Sequence, residues 1–222
     1  MGTLKMNLKL VIFDMDGLVV DSEKIYFAAN QRAAKKLGMQ YSMDYYQRFI
    51  GSGNDLMYSE MSRDYGSKEL ISEFIRLSKQ QVFNVVKEEG IPLKKGFLEL
   101  AAYLRDAKIP SILASSNDRI AIDYFLETAS IGQYFSKIVS ANDVTNAKPN
   151  PEIFEHAWKA SGLSSKNETV ILEDSYNGVY AANNAHIPVI MVPDLIQPTK
   201  EVAARTQAVL GNLNEVKSYL EK

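Results

Sequence analysis

Two acids separated by one residue, Asp14 and Asp16, follow an apolar run that ends at Phe13. Ser115, Ser116 and Asn117 follow a second such run, Glu173 and Asp174 close a third, and Lys148 stands in the connection between the second and the third. Brought together, these residues place four carboxylates, two serine hydroxyls and one amine in a single pocket. Neighbouring carboxylates raise one another's proton affinity and do not all stay ionised without a cation. All-oxygen ligation favours a hard ion, and Mg²⁺ is satisfied by one or two carboxylates, a carbonyl, waters and a substrate phosphate oxygen. Such an ion also offsets the phosphate charge that repels an attacking carboxylate. Lys148 adds a second positive charge and Ser115 a hydroxyl donor for the phosphoryl oxygens. The chemistry in outline is phosphoryl transfer, with Mg²⁺ as the expected cofactor.

Positioning these groups requires a sheet whose strands all end at one edge. The apolar run at residues 8–13 stops abruptly at Asp14-Met15-Asp16-Gly17, as a buried parallel strand does on reaching a loop. Strands are expected at 110–114, 138–140, 169–172 and 188–192, and helices at 97–107, 119–128, 151–161 and 178–185. Strands alternating with helices of this length imply a parallel sheet wound by right-handed crossovers, a Rossmann-like α/β sandwich with helices on both faces. Ligands bind beyond the carboxyl ends of such strands, which is where the candidate residues fall. Residues 22–94 break the alternation with long helical stretches rich in Tyr, Lys, Gln, Ser and Met, at 26–37 and 68–86. The expected organisation is therefore a catalytic core of 1–21 and 95–222 with an inserted helical cap at 22–94. Gly51 and Gly53 read as flexible turns in that insertion.

Bulk properties narrow the partner. The 222 residues are 46% hydrophobic and 23% charged, which suits a globular chain with a sizeable core. A net charge of -2 supplies no basic surface for nucleic acid, and no Lys/Arg run suggests an anionic membrane. The absence of cysteine excludes a disulfide scaffold, a thiolate zinc site and a cysteine nucleophile. Residues 1–6 lack the apolar segment of a signal peptide and no stretch approaches the roughly 18 apolar residues of a membrane span. A cytoplasmic monomer acting on a small phosphorylated metabolite is the expectation.

The motifs Asp14-Met15-Asp16-Gly17, Leu113-Ala114-Ser115, Lys148-Pro149 and Glu173-Asp174-Ser175 resemble, in order and spacing, the four motifs of the haloacid dehalogenase superfamily. The stretches DMDGLVVDSE from Asp14, KPNPEIF from Lys148 and LEDSYNGVYAA from Leu172 are similar to the branch that contains β-phosphoglucomutase and small sugar-phosphate phosphatases. That resemblance implies that Asp14 is the nucleophile and a metal ligand, and that Asp16 is the general acid and base, giving its main-chain carbonyl to the metal. It implies that Ser115 and Lys148 hold the phosphoryl group, that Asp174 completes metal ligation, and that Glu173 is a ligand or its partner. An aspartate with an ordinary pKa of about 3.9 is already ionised at neutral pH and needs only charge cancellation to act as a nucleophile.

Structural readings compete at several positions. Ser116 and Asn117 are at least as well explained as caps of the following helix as by phosphate contact. A lysine before a proline reads as a solvated loop residue outside the motif context, and Glu173 with Asp174 reads as an ion-paired couple. His156 and His186 are isolated, and Trp158, four residues after Phe154, reads as packing. Substrate selection is expected in the insertion, with Ser22, Glu23, Tyr26, Asn54 and Gln81 as candidate contacts by position. Mutase members carry a histidine where this chain has Tyr26 and cationic residues near Asn54 and Gln81, so the sequence favours hydrolysis of a phosphomonoester over a β-phosphoglucomutase-type reaction. Carbon–halogen chemistry has no need of the Asp16 acid, and a non-catalytic phosphometabolite-binding protein has no need of the full set.

Overall fold

The computed structural model describes residues 7–50 and 54–222, without the side chains of residues 54 and 55, so Gly51, Gly53 and the Asn54 side chain lie outside the described residues. Six strands, β1 (Leu10–Phe13), β2 (Ser111–Ala114), β3 (Lys137–Val139), β4 (Thr169–Glu173), β5 (Val189–Met191) and β6 (Ala208–Val209), form one parallel sheet in the order β3-β2-β1-β4-β5-β6. The helices are α1 (Ser22–Lys36), α2 (Met43–Gln47), α3 (Asn54–Tyr65), α4 (Lys68–Glu89), α5 (Phe97–Asp106), α6 (Arg119–Thr128), α7 (Glu152–Ser161), α8 (Tyr176–Asn184), α9 (Lys200–Ala203) and α10 (Leu213–Leu220).

Each residue of β1 is at most 1% exposed, which is why its sequence LVIF shows no polar alternation. Its side chains nevertheless alternate between two cores. Leu10 and Ile12 point into a cluster with Ile153, Phe154 and Ala157 of α7 and Val179 and Ala182 of α8. Phe13 meets Phe97 of α5 and Phe135 edge-on, at ring-centroid distances of 6.1 and 5.8 Å. The helices thus cover both faces of the sheet.

The register sets the site. Phe13 pairs with Leu113 on one side and with Leu172 on the other, so the next residues of β1, β2 and β4 reach the same edge. β2 and β4 leave β1 in opposite directions along the sheet, which makes the carboxyl end of β1 the point where the strand order reverses.

The chain divides into two compact units, Met1–Asp21 with Pro92–Lys222, and Ser22–Ile91. The return crossover thus lies three residues earlier than the sequence reading placed it. The Asp21 amide donates to Pro92 O at 2.9 Å and the Lys94 amide to Val19 O at 2.9 Å, which ties 92–94 to the sheet unit. Within Ser22–Ile91, α1 lays Ala33 and Ala34 in a cluster with Tyr41, Tyr46, Phe49, Met61, Ile71 and Phe74. Arg32 of α1 pairs with Glu88 and Glu89 of α4, both at 2.8 Å.

Element ends differ from the sequence expectation by a few residues, most at α1, which starts at Ser22, and α4, which runs on to Glu89. Strand β6 and helices α9 and α10 were not foreseen, nor were α2 and α3 read individually within the helical insertion. Two residues are too few to show a period, and the eight-residue α10, which lies against α5, buries only Leu213 and Val216. Among the described residues no helix is long and apolar enough to cross a membrane.

Candidate active site

Every group of the site belongs to the unit that contains the sheet. Asp14 follows β1 directly, and its amide still bonds to Leu172 O of β4 at 3.0 Å, so its position is fixed by the ladder itself. The chain then folds back on itself: the Val19 and Val20 amides both donate to Met15 O, and the Gly17 amide donates to Val20 O. Gly17 has φ +72°, and a β-carbon there would stand 2.3 Å from Asp174 Oδ2. Both the turn and the approach of that carboxylate require glycine.

Lys148 is the hub. Its Nζ donates to Asp14 Oδ1 at 2.5 Å and to Glu173 Oε1 at 2.8 Å, and it lies 4.6 Å from the centre of the Phe154 ring. With its side chain only 7% exposed it is a buried cation, and the solvated-loop reading of this lysine is set aside. A buried ammonium between two buried carboxylates persists only with such partners. Burial is the largest single effect and lowers its proton affinity, but the charges and hydrogen bonds of Asp14 and Glu173 together outweigh it and hold Lys148 protonated beyond the ordinary lysine range.

Glu173 is fully buried. Its second oxygen, Oε2, accepts from the Ser175 amide at 2.8 Å and from the Ser175 hydroxyl at 2.9 Å. A β-carbon at Gly178 would fall 1.7 Å from Glu173 Oε1, so the first turn of α8 is open to this carboxylate only because residue 178 has no side chain.

Asp16 has a partner that the sequence reading did not give it. Asn117 Nδ2 donates to Asp16 Oδ2 at 2.9 Å, and the Ser115 hydroxyl lies 3.5 Å from the same oxygen. Ser115 is fully buried, and its Oγ accepts the Asn117 amide at 3.1 Å. Neither Ser116 nor Asn117 caps the following helix. Asp118 does so, accepting the Ala121 amide at 2.9 Å, while Ser116 is exposed. The helix starts one residue later than the capping reading required, which releases Asn117 for Asp16.

The acids concentrate negative charge. One carboxylate oxygen from each of Asp14, Glu173 and Asp174 lies within 4.8 Å of the others. Burial raises the Asp14 carboxyl from 3.8 to about 7; Lys148 opposes the rise, and Glu173 and Asp16 add to it. Burial likewise holds Asp174 well above the ordinary carboxylate range, with Glu173, Asp14 and Asp194 adding to the rise and Lys148 opposing it. One lysine does not balance these carboxylates, and a donor set of oxygens alone suits a hard divalent cation. The fit to Mg²⁺ therefore rests on crowding and donor type together.

Among the residues named for substrate contact in the insertion, Ser22 is fully buried and its hydroxyl has no hydrogen-bond partner among the described residues. The Tyr46 hydroxyl donates to Glu23. Gln81 is buried in α4 and Tyr26 packs against the aromatic cluster of that unit. Trp158 packs against the α7 side of the sheet core, and Lys166 lies 5.2 Å from the centre of its ring.

The sequence and fold can be set beside known proteins. Residues 11–192 match the family model described as haloacid dehalogenase-like hydrolase. A probable pseudouridine-5'-phosphatase of Drosophila melanogaster is 31% identical over 93% of this chain and 90% of its own length. A phosphorylated carbohydrates phosphatase of Thermotoga maritima is 27% identical over 96% of this chain and 91% of its own. The solved structure of a "putative beta-phosphoglucomutase" from Thermotoga maritima superposes with a TM-score of 0.80 at 26% identity, covering 96% of this chain and 99% of that one.

Proposed function

The chain belongs to the haloacid dehalogenase-like hydrolase family and is a phosphohydrolase, and from that premise we propose that it hydrolyses a small phosphomonoester through a phosphoaspartate on Asp14. The observation that carries this reading is the placing of a buried carboxylate, Asp14, where the strand order reverses, bonded to a buried lysine and two residues before a second acid. Asp14, Asp174, Glu173 and the main chain of Asp16 would hold Mg²⁺, which when bound supplies the positive charge that lets a phosphate dianion enter among carboxylates.

The remaining steps belong to the side chains. An Asp14 carboxylate oxygen forms a bond to phosphorus as the bond from phosphorus to the ester oxygen breaks, and Asp16 gives its proton to the departing alkoxide. A water then attacks phosphorus, Asp16 takes its proton, and the acyl–phosphate bond breaks to release phosphate and restore Asp14. Lys148 and Ser115 stabilise the charge on the phosphoryl oxygens, and the Lys148 contact to Glu173 keeps the ammonium aimed when Asp14 is esterified. Asn117 orients the Asp16 carboxylate.

The substrate class is a sugar, polyol or nucleoside phosphate. The names of the two phosphatase relatives, which concern a pseudouridine phosphate and phosphorylated carbohydrates, support it. The helical unit Ser22–Ile91 acts as a cap that chooses among such esters, with Ser22, Glu23 and Asn54 as its proposed contacts.

The test is phosphate release from a panel of sugar, polyol and nucleoside monophosphates, with Mg²⁺ and with EDTA, beside the Asp14→Asn variant. Release that needs Mg²⁺ and is lost in the variant is expected. No release, with isomerisation of a hexose 1-phosphate in the presence of its bisphosphate, would replace hydrolysis by the mutase reading that the solved structure's name offers.

A further inference from the structure

Asp194 follows Pro193 in the loop after β5. The structure buries it: the Asp194 side chain is 10% exposed. One oxygen, Oδ1, accepts Lys94 Nζ at 2.6 Å. The other, Oδ2, is buried and has no hydrogen-bond donor among the described residues. A carboxylate oxygen taken out of water without a donor is costly, so this atom is an acceptor awaiting something.

Its direction identifies what. A β-carbon built on Gly17 would be 2.3 Å from Asp174 Oδ2 and 3.1 Å from Asp194 Oδ2. The two carboxylate oxygens therefore flank the same glycine, one residue past Asp16. Asp174 already belongs to the acidic cluster with Asp14 and Glu173. Magnesium keeps several of its waters when bound to protein, and acceptors around those waters contribute to its affinity.

Resting on the reading of this cluster as a divalent-cation site, we infer that Asp194 is a positioning residue of that site. Its Oδ2 accepts from the hydrated cation beside Asp174, while Oδ1 is taken up by Lys94. The competing explanation is an ion pair that only pins residue 194 to residue 94. The two make different forecasts. A prop fails alike when either partner is removed, whereas an acceptor for the cation is lost only with the carboxylate, and removing the lysine takes away a competing positive charge.

The deciding experiment is calorimetric titration of the whole chain with Mg²⁺, without substrate, on the wild type, Asp194→Asn and Lys94→Met, with thermal unfolding in EDTA to establish that each variant is folded. We expect Mg²⁺ affinity to fall about tenfold or more in Asp194→Asn and not to fall in Lys94→Met. Equal affinity in Asp194→Asn and the wild type, or an equal loss in both variants, would overturn the role given to Asp194 and leave the phosphatase reading standing. A wild type that takes up no Mg²⁺ would instead overturn the cation site itself. If Lys94→Met does not fold, Lys94→Gln takes its place in the comparison, and the same outcomes decide.

Discussion

At the scale of single residues, the site depends on side chains that do no chemistry. Gly178 makes room for Glu173, and Glu173 aims Lys148. A methyl group at 178 would have to push the carboxylate away from the lysine, so Gly178→Ala should cost about 1 to 3 kcal/mol of stability. It should also depress phosphate release, and thermal unfolding together with an activity assay checks both. Asn117→Ala removes one hydrogen bond to Asp16, and about a tenfold drop in turnover on an alkyl phosphate is expected, equivalent to about 1.4 kcal/mol. The first chemical step with an aryl phosphate, whose leaving group needs little protonation, should suffer less; rapid-quench measurements on both substrates read this difference, and equal losses would remove Asn117 from its role.

The same scale shows what one sequence can reveal. Asp14, Asp16, Ser115, Lys148, Glu173 and Asp174 were legible because each sits at or near the end of an apolar run or in an ordered motif. Gly178 and Asp194 were not, and Asn117, a candidate for phosphate contact, was not legible as a partner of Asp16. Asn117 reaches Asp16 across 101 positions of sequence, and whether it does so depends on which residue caps α6. The closeness of Gly178 to Glu173 follows from the turn into α8, and the burial of Asp194 follows from a lysine 100 residues away.

At the scale of elements, strands β1 to β5 and helices α1 and α4 to α8 showed in the sequence to within a few residues, while α2, α3, α9, α10 and β6 were not read individually. Short connections also carry defined devices. The turn at Ala141–Asp143 is closed by Ser140, whose hydroxyl donates to Asp143 Oδ2 at 2.7 Å and whose amide does so at 2.8 Å. The Ser140 hydroxyl is the largest of the effects that lower the Asp143 carboxyl below its ordinary value of 3.8. A carboxyl lowered by folding adds stability above its unfolded pKa and loses it as the pH falls through its folded pKa. Ser140→Ala should therefore destabilise the chain by about 1 kcal/mol at neutral pH. The difference from the wild type should shrink at pH values below 3.8, and denaturant unfolding at several pH values tests the sign.

At the scale of the whole molecule, the chain leaves and re-enters the sheet unit at neighbouring points, since the Asp21 amide bonds to Pro92 O. A unit inserted between adjacent ends is joined to its host without breaking the host's own core. Replacing Ser22–Ile91 with a short glycine linker should leave a sheet unit that unfolds cooperatively, as followed by circular dichroism. Loss of the cooperative transition would mean that the sheet unit depends on the insertion for its stability. If the insertion selects substrate, the shortened chain should also lose discrimination across the phosphate-ester panel.

The most direct test of the account is chemical identification of the phosphorylated residue. The enzyme is quenched with acid during turnover, reduced with borohydride, which converts an aspartyl phosphate to homoserine, and sequenced by mass spectrometry. Homoserine at position 14, appearing only with substrate and absent from Asp14→Asn, is the expected result. Homoserine at another acid, or undiminished turnover by Asp14→Asn, would contradict it.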